Sequence, residues 1–158
     1  MQAQSLGCST FDYEELLQLQ LEKLLVNCVL NPLTALLDVH NGQMLNNAPL
    51  SRVHHSLIAE ISAVIQKLPE LRGNPGVSIR FSPESLMNRF VNVTNITAAN
   101  SSSMREDVRN TKDTEIDYIN GYIIKRGKEL GIECVMNDLI LQLIKGKTLA
   151  SRSERDIA

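Results

Sequence analysis

The sequence predicts an all-α protein, a multi-helix bundle of about six helices, and three observations carry that expectation. Leucine and isoleucine supply most of the apolar mass and recur at intervals of three and four residues, the period of one face of a helix. Aromatic residues make up only 4% of the chain and tryptophan is absent, which removes residues that favour pleated sheets. Strict apolar–polar alternation, the pattern of a half-buried strand, nowhere persists beyond about four or five residues.

The first helix is expected from Phe11 to Leu37, opened by Ser9 or Thr10, with Asp12, Glu14 and Glu15 at the positive end of its dipole. Pro32 lies inside it. Proline has no N–H, so the carbonyl of Cys28 loses its ordinary donor and the helix should kink or pause. A turn is expected at Asn41-Gly42. An amphipathic helix follows over Ser51–Leu68, with Val53, Leu57, Ile58, Ile61, Val64, Ile65 and Leu68 on one face. Pro69 to Pro75 reads as a loop. Ser82, Pro83 and Glu84 then supply the cap, first-turn proline and first-turn acid of a helix reaching about Ala98.

The run Asn100-Ser101-Ser102-Ser103 interrupts this pattern, because such side chains compete for their own backbone. A helix resumes over Asp113–Lys128, with Ile116, Ile119, Tyr122 and Ile123 on one side. Gly121 within it costs about 1 kcal/mol relative to alanine, which suggests another backbone packed close to it. Gly131 should end that helix as a C-terminal cap. The last helix is expected from Asn137, carrying Leu139, Ile140, Leu143 and Ile144, and stopping at Gly146 with a frayed polar tail beyond Lys147.

A chain of 158 residues, 43% apolar, suits one compact domain spanning 1–158, with its core in about 11–146. A formal net charge of −2 lacks the electrostatic footprint of a nucleic-acid or anionic-membrane binder, so a small-molecule partner is expected. No window approaches bilayer-spanning length, and Met1–Thr10 shows no basic stretch leading into an apolar run. A cytoplasmic protein is expected. Cys8, Cys28 and Cys134 are odd in number and free of close pairing, as reduced thiols would be. Asn92, Asn95 and Asn100 match the glycosylation pattern and are expected to be unmodified, as nothing directs export. His54 and His55 are helix neighbours pointing about 100° apart, so they do not form a chelating pair and no metal is expected. Lys145, Lys147, Arg152 and Arg155 read as a solvated basic tail.

The first helix is the one that carries chemistry. At about 100° per residue, with Lys23 at zero, Asn27 falls near 40°, Gln20 near 60° and Asn31 near 80°. Leu17, Leu21, Leu24, Leu25 and Cys28 lie on one side of this polar stripe, and Leu19, Val26 and Leu30 on the other. A helix buried on two sides, with a polar edge lining a cleft, has that pattern. A solvated edge between two packing surfaces has it too. A second polar cluster, Asn100, Ser103, Glu115 and Asp117, sits in a segment otherwise rich in core residues, and by itself fits a capped loop between helices.

Two segments in this order resemble a known family. Lys23-Leu24-Leu25-Val26-Asn27-Cys28-Val29-Leu30-Asn31-Pro32-Leu33-Thr34-Ala35-Leu36, followed by Asn41-Gly42, is the first. Ser102-Ser103-Met104-Arg105-Glu106-Asp107 with Thr114-Glu115-Ile116-Asp117-Tyr118-Ile119-Asn120-Gly121 is the second. Together they resemble the C-terminal domain of the ketopantoate reductase (2-dehydropantoate 2-reductase) family, over about Leu21 to Lys145. The resemblance implies a helical domain of the 6-phosphogluconate dehydrogenase C-terminal-like kind, packed on an N-terminal Rossmann domain, with NADPH and ketopantoate between them in pantothenate synthesis; it leaves room for a homodimer. It implies Lys23 as the general acid that protonates the carbonyl oxygen as hydride arrives at carbon. It implies Glu115 as the carboxylate orienting Lys23 or the substrate hydroxyl, Asn27, Asn31 and Asn41 as amides of the substrate pocket, Ser103 as a ligand of the substrate carboxylate, and Asn100 as a neighbour in the same loop.

Lys23 has apolar neighbours, so it is expected to be partly desolvated, where an ammonium meets a developing alkoxide most effectively. The chain departs from the family in reading Leu21-Glu22 where a tryptophan is frequent and Val135-Met136-Asn137 where a proline is frequent. None of the eight glycines forms a GxGxxG phosphate loop, so the nucleotide-binding half is expected to be missing and the chain alone inactive. A non-catalytic helical module for dimerisation or binding, retaining the ancestral residues, is the alternative.

Overall fold

The computed structural model describes residues 12–157, with side chains described as far as Ser153. Among the described residues there are seven α-helices: α1 (Tyr13–Leu37), α2 (Ala48–Ile65), α3 (Val77–Arg80), α4 (Pro83–Ile96), α5 (Ser103–Arg109), α6 (Asn120–Glu129) and α7 (Val135–Ile157). Two short 3-10 turns, Asn41–Met44 and Pro69–Leu71, complete the element order. No described residue is in a strand, and no described helix is long and apolar enough to cross a membrane.

α1 is the central post. α2, α4, α5 and α7 all pack against it, while α6 closes over α7 and α2. Leu25, Cys28 and Val29 on α1 are fully enclosed. Trimming Leu25 to alanine would open a cavity at a cost of about 2–5 kcal/mol. Its N-terminal cap is Asp12, whose carboxylate accepts from Glu15 N at 2.7 Å; Ser9 and Thr10, the caps expected, lie outside the described residues. The helix runs unbroken through Pro32. The expected pause does not occur, and another side chain supplies the donor that Cys28 lacks, as described below.

The later elements divide between agreement and correction. α4 begins at Pro83 with Ser82 as its cap, and Gly131 takes the left-handed conformation after α6 at φ 69°. α2 begins three residues before the expected Ser51, because Asn47 caps it and Pro49 suits its first turn. α3 and α5 were not expected. Ser102 accepts from Arg105 N and caps α5, so the serine run starts a helix as well as interrupting the chain. The expected helix from Asp113 starts only at Asn120. Residues 115–119 form a bent turn in which Glu115 O accepts from Tyr118 N and Ile119 N, and Ile116 and Ile119 still reach the core.

α7 passes Gly146 and continues to Ile157. Lys147 explains part of this: its ammonium donates to Leu36 O at 2.8 Å, near the negative end of α1. The close backbone approach expected at Gly121 occurs at Gly127 instead. A Cβ there would sit 2.6 Å from Cys134 Sγ and 2.8 Å from Ile132 O, whereas one at Gly121 would meet Leu141 at an ordinary 3.4 Å.

Candidate active site

The polar stripe of α1 is flanked by buried residues on both sides, Leu21, Leu25 and Cys28 on one and Val26 and Leu30 on the other. Along it, Gln20 and Lys23 are exposed, Asn27 is half-buried and Asn31 is 8% exposed. The edge therefore descends from solvent into the domain over two helical turns. The exposure of Lys23 corrects one expectation. Its apolar neighbours on α1 turn away into the core, so this domain's own helices do not desolvate it.

Beside Lys23, the preceding Glu22 anchors α1 to its neighbours. Arg80 at the end of α3 donates to Glu22 at 2.7 Å and to Glu15 at 3.1 Å, and Arg89 on α4 approaches Glu22 at 3.5 Å. The charge next to Lys23 in sequence is thus engaged with other cations.

The lower end of the stripe is joined to the second polar cluster by hydroxyls. Thr34, one turn beyond Asn31 and fully buried, bonds Ser102 Oγ at 2.7 Å and donates to Leu30 O and Asn31 O. Ser103, the next residue, is exposed at the first position of α5. Asn41 N donates to Asn100 O at 3.0 Å. Asn31, Asn41, Asn100 and Ser103 are accordingly gathered near the C-terminal half of α1. Asn41 is buried, and its Nδ2 donates to Thr97 Oγ1 at 3.1 Å while its Oδ1 has no partner among the described residues. Asn100 is exposed.

Arg105 was not singled out in the sequence, yet it fixes this corner. Its buried guanidinium donates to the Asp38 carboxylate at 2.9 Å, to Asp38 O at 3.1 Å and to Ser101 Oγ at 3.1 Å. Asp38 closes α1 in the left-handed conformation at φ 55°. The Arg105 hydrogen bond chiefly holds its carboxyl below the ordinary range, against some desolvation, and the charges of Arg109 and Lys147 add to this.

Glu115 lies in the turn before α6 and is exposed. It has an acid on either side, and both are engaged by α7: Asp117 with Lys145 at 2.6 Å and Asp113 with Arg152. The tail cations expected to be merely solvated therefore clasp this turn; the side chain of Arg155 lies outside the described residues. Glu115 itself forms no side-chain hydrogen bond or ion pair among the described residues, and neither does Lys23. The two are not within ion-pair distance of each other.

Asn120 at the start of α6 is the residue most conspicuously missed. It is fully buried and donates from Nδ2 to Cys28 O at 3.1 Å and to Asn137 Oδ1 at 3.0 Å. Asn137 donates in turn to the Glu60 carboxylate at 2.7 Å. The sequence signal was the donor that Pro32 withholds from Cys28. It showed a need but not the residue meeting it.

The remaining polar groups do not build a second centre at this face. Burial pushes the Cys28 thiol far above its ordinary range and Cys134 up to about 11, so neither is a ready thiolate. Two clefts of about 580 and 590 Å³, one between α2 and α4 and one at the turn from α6 to α7, contain none of the residues predicted for the site. The described residues hold no cluster of three or more histidine, cysteine or acidic side chains able to bind a metal ion.

An all-α domain threaded by one long helix with an open Lys-Asn-Asn edge is the class that fold and site define. Residues 15–148 match the family model described as "Ketopantoate reductase PanE/ApbA C terminal", and the chain belongs to that family. It is 34% identical over 138 residues to a probable 2-dehydropantoate 2-reductase of Schizosaccharomyces pombe, covering 86% of this chain and 39% of that protein. It is 36% identical over 126 residues to the 2-dehydropantoate 2-reductase of Yersinia pestis, covering 80% of this chain and 38% of that one. Among solved structures, a probable 2-dehydropantoate 2-reductase from Bacillus subtilis superposes with a TM-score of 0.71 at 30% identity, over 87% of this chain and 42% of the other. The chain thus spans about two-fifths of the length of the relatives it matches.

Proposed function

We propose that this chain is the substrate-facing domain of an NADPH-dependent 2-dehydropantoate reductase, with Lys23 as general acid. The observation that carries the reading is the pairing pattern. Lys23 and Glu115 are exposed and make no side-chain hydrogen bond or ion pair among the described residues, whereas Glu22, Asp113 and Asp117 beside them in sequence are all engaged in ion pairs. Charges kept free among committed neighbours are available to a ligand.

The dinucleotide does not fit this chain. The described residues contain no strand to precede a phosphate loop, and no GxGxxG occurs. NADPH is assigned to a Rossmann domain, joined or supplied separately, and what it brings is the hydride. On this chain, Asn27 and Asn31 hold the keto acid along α1, and Ser103, with Asn100 beside it, receives its carboxylate. Asn41 supports that loop through Asn100. Lys23 gives its proton to the carbonyl oxygen, and Glu115 orients either the ammonium or the substrate hydroxyl. A positioned general acid contributes about a hundredfold to ten-thousandfold. Closure by the second domain would dry Lys23, which this domain leaves in water.

The test is NADPH oxidation by the complete protein with ketopantoate. Lys23→Ala should lower kcat by at least about a hundredfold. Undiminished kcat/KM in that variant would remove the reading. The chain alone should be helical by circular dichroism and show no turnover.

A second reading, a helical module that binds or dimerises without catalysis, is favoured by Val135, Leu139 and Leu143. They stand exposed at four-residue intervals along α7. Ketopantoate turnover by the complete protein that depends on Lys23 would exclude it.

A further inference from the structure

We propose that Asn120 is a positioning residue for this site: its amide holds the Glu115 turn in register against the Lys23 helix through the carbonyl that Pro32 leaves without a donor. The inference rests on the reading of Lys23 and Glu115 given above.

The direction of each hydrogen bond linking Glu60, Asn137, Asn120 and Cys28 is determined. The Glu60 carboxylate can only accept, and it takes Met136 N at 2.8 Å, Asn137 N at 3.0 Å and Asn137 Nδ2 at 2.7 Å. Asn137 must therefore turn its Oδ1 toward Asn120. The other partner of Asn120, Cys28 O, is also an acceptor. Only an NH2 group serves two acceptors from one position, so neither an aspartate nor an apolar isostere can replace it. The amide is enclosed completely; its Oδ1 has no partner among the described residues, so the two bonds from its NH2 group are what hold it.

The two ends of this bond are close in sequence to the two groups of the chemistry. On α1, Cys28 directly follows Asn27 and lies a little over one turn beyond Lys23. On the other side, Asn120 directly follows the turn that Glu115 begins. There is little slack between them. Glu115 O accepts from Tyr118 N and Ile119 N, Gly121 N donates to Ile116 O, and Ile116 and Ile119 are buried. The ion pairs of Asp113 and Asp117 hold the turn to α7, but only Asn120 gives it a hydrogen bond to α1 among the described residues.

A purely structural role, satisfying an orphan carbonyl, makes a different prediction from a positioning role, and Pro32 separates them. Pro32→Ala returns an N–H to the helix, so Cys28 O is satisfied without Asn120. In the complete reductase, Asn120→Ala should lower the thermal midpoint and also lower kcat by on the order of tenfold or more, with KM little changed. The double variant Asn120→Ala/Pro32→Ala should recover part of the midpoint, since Asn137 Oδ1 stays without its donor, but not kcat. Recovery of kcat in parallel with the midpoint would show that Asn120 is structural only. Failure of Pro32→Ala to raise the midpoint of the Asn120→Ala variant would remove the Cys28 carbonyl as the tether's other end. If Asn120→Ala alone does not fold, the double variant measured against Pro32→Ala carries the same comparison. Lys23→Ala and Glu115→Gln in the same assay keep the layers distinct. If turnover depends on both and the double variant matches Pro32→Ala, only this proposal falls. If turnover depends on neither, the underlying reading falls and takes it along.

Discussion

Thr34 and Ser102 share a buried hydroxyl-to-hydroxyl hydrogen bond of 2.7 Å across 68 positions of sequence. The donors can be assigned by counting protons. Thr34 sends its proton to the carbonyls of Leu30 and Asn31, so Ser102 donates to Thr34 while its oxygen accepts from Arg105 N. One serine thus caps α5 and bolts it to α1, which brings Ser103 to the foot of the stripe carrying Asn31.

Ser102→Ala removes both functions at once. The cap contributes about 1 kcal/mol and the buried bond about another 1, so the variant should lose roughly 2 kcal/mol in urea unfolding of the chain. Thr34→Val keeps the shape and leaves the Ser102 proton without an acceptor, at about 1–2 kcal/mol. The double variant should cost less than the sum by about 1 kcal/mol. Strict additivity would mean that the two hydroxyls do not share a bond.

His54 sets a pH dependence. It is 4% exposed, packs on Phe90 with ring centroids 4.8 Å apart, and has no partner for Nε2 among the described residues. Burial chiefly, helped by His55, lowers its pKa from 6.5 to about 4. The folded state therefore prefers the neutral ring, and the unfolded chain binds the extra proton first on acidification. The associated stability, up to about 3 kcal/mol, is present above pH 6.5 and is lost as pH falls toward 4. His54→Leu should flatten this part of the urea midpoint-against-pH curve. An unchanged slope in the variant would assign the loss to other groups.

Part of this architecture was legible because local chemistry specified it. Ser82-Pro83-Glu84 starts α4 on its own terms, and the leucine period of α1 identified both buried flanks of the Lys23 stripe. What the wheel could not show is what covers an edge, so Lys23 was expected to be drier than it is. α5 was hidden because the serine run reads equally as a break and as a cap, and the Thr34 hydroxyl that fixes Ser102 is far away in sequence. Ile116 and Ile119 have a spacing that a helix and a tight turn share, and the start of α6 is decided by the distant Cys28 carbonyl meeting Asn120. α7 outruns Gly146 with support from Leu36 O and Asp113, neither of which is local.

Two glycines separate packing from propensity. At Gly127 a methyl group would collide with Cys134 and with the Ile132 carbonyl, so Gly127→Ala should cost about 2 kcal/mol or more despite alanine's better helix propensity. At Gly146 nothing among the described residues lies within 4 Å of the added carbon, and Gly146→Ala should stabilise the chain by about 0.5–1 kcal/mol. Thermal midpoints moving in opposite directions would support this. A destabilised Gly146→Ala would mean that α7 is not continuous there.

The three acids of the turn before α6 should divide between stability and turnover. Asp117 and Lys145 are both well exposed, so Asp117→Asn should lower stability by no more than about 1 kcal/mol and reach catalysis only through a loosened turn. Glu115 has no side-chain partner among the described residues, so Glu115→Gln should leave the urea midpoint unchanged. If Glu115 meets the ligand as proposed, the same variant should cut kcat/KM of the complete protein with ketopantoate by about tenfold or more. A loss confined to KM would place the carboxylate on the substrate hydroxyl; a loss confined to kcat would place it on Lys23. A Glu115→Gln enzyme with wild-type kcat/KM would take this carboxylate out of the chemistry and leave Lys23 to account for the site alone.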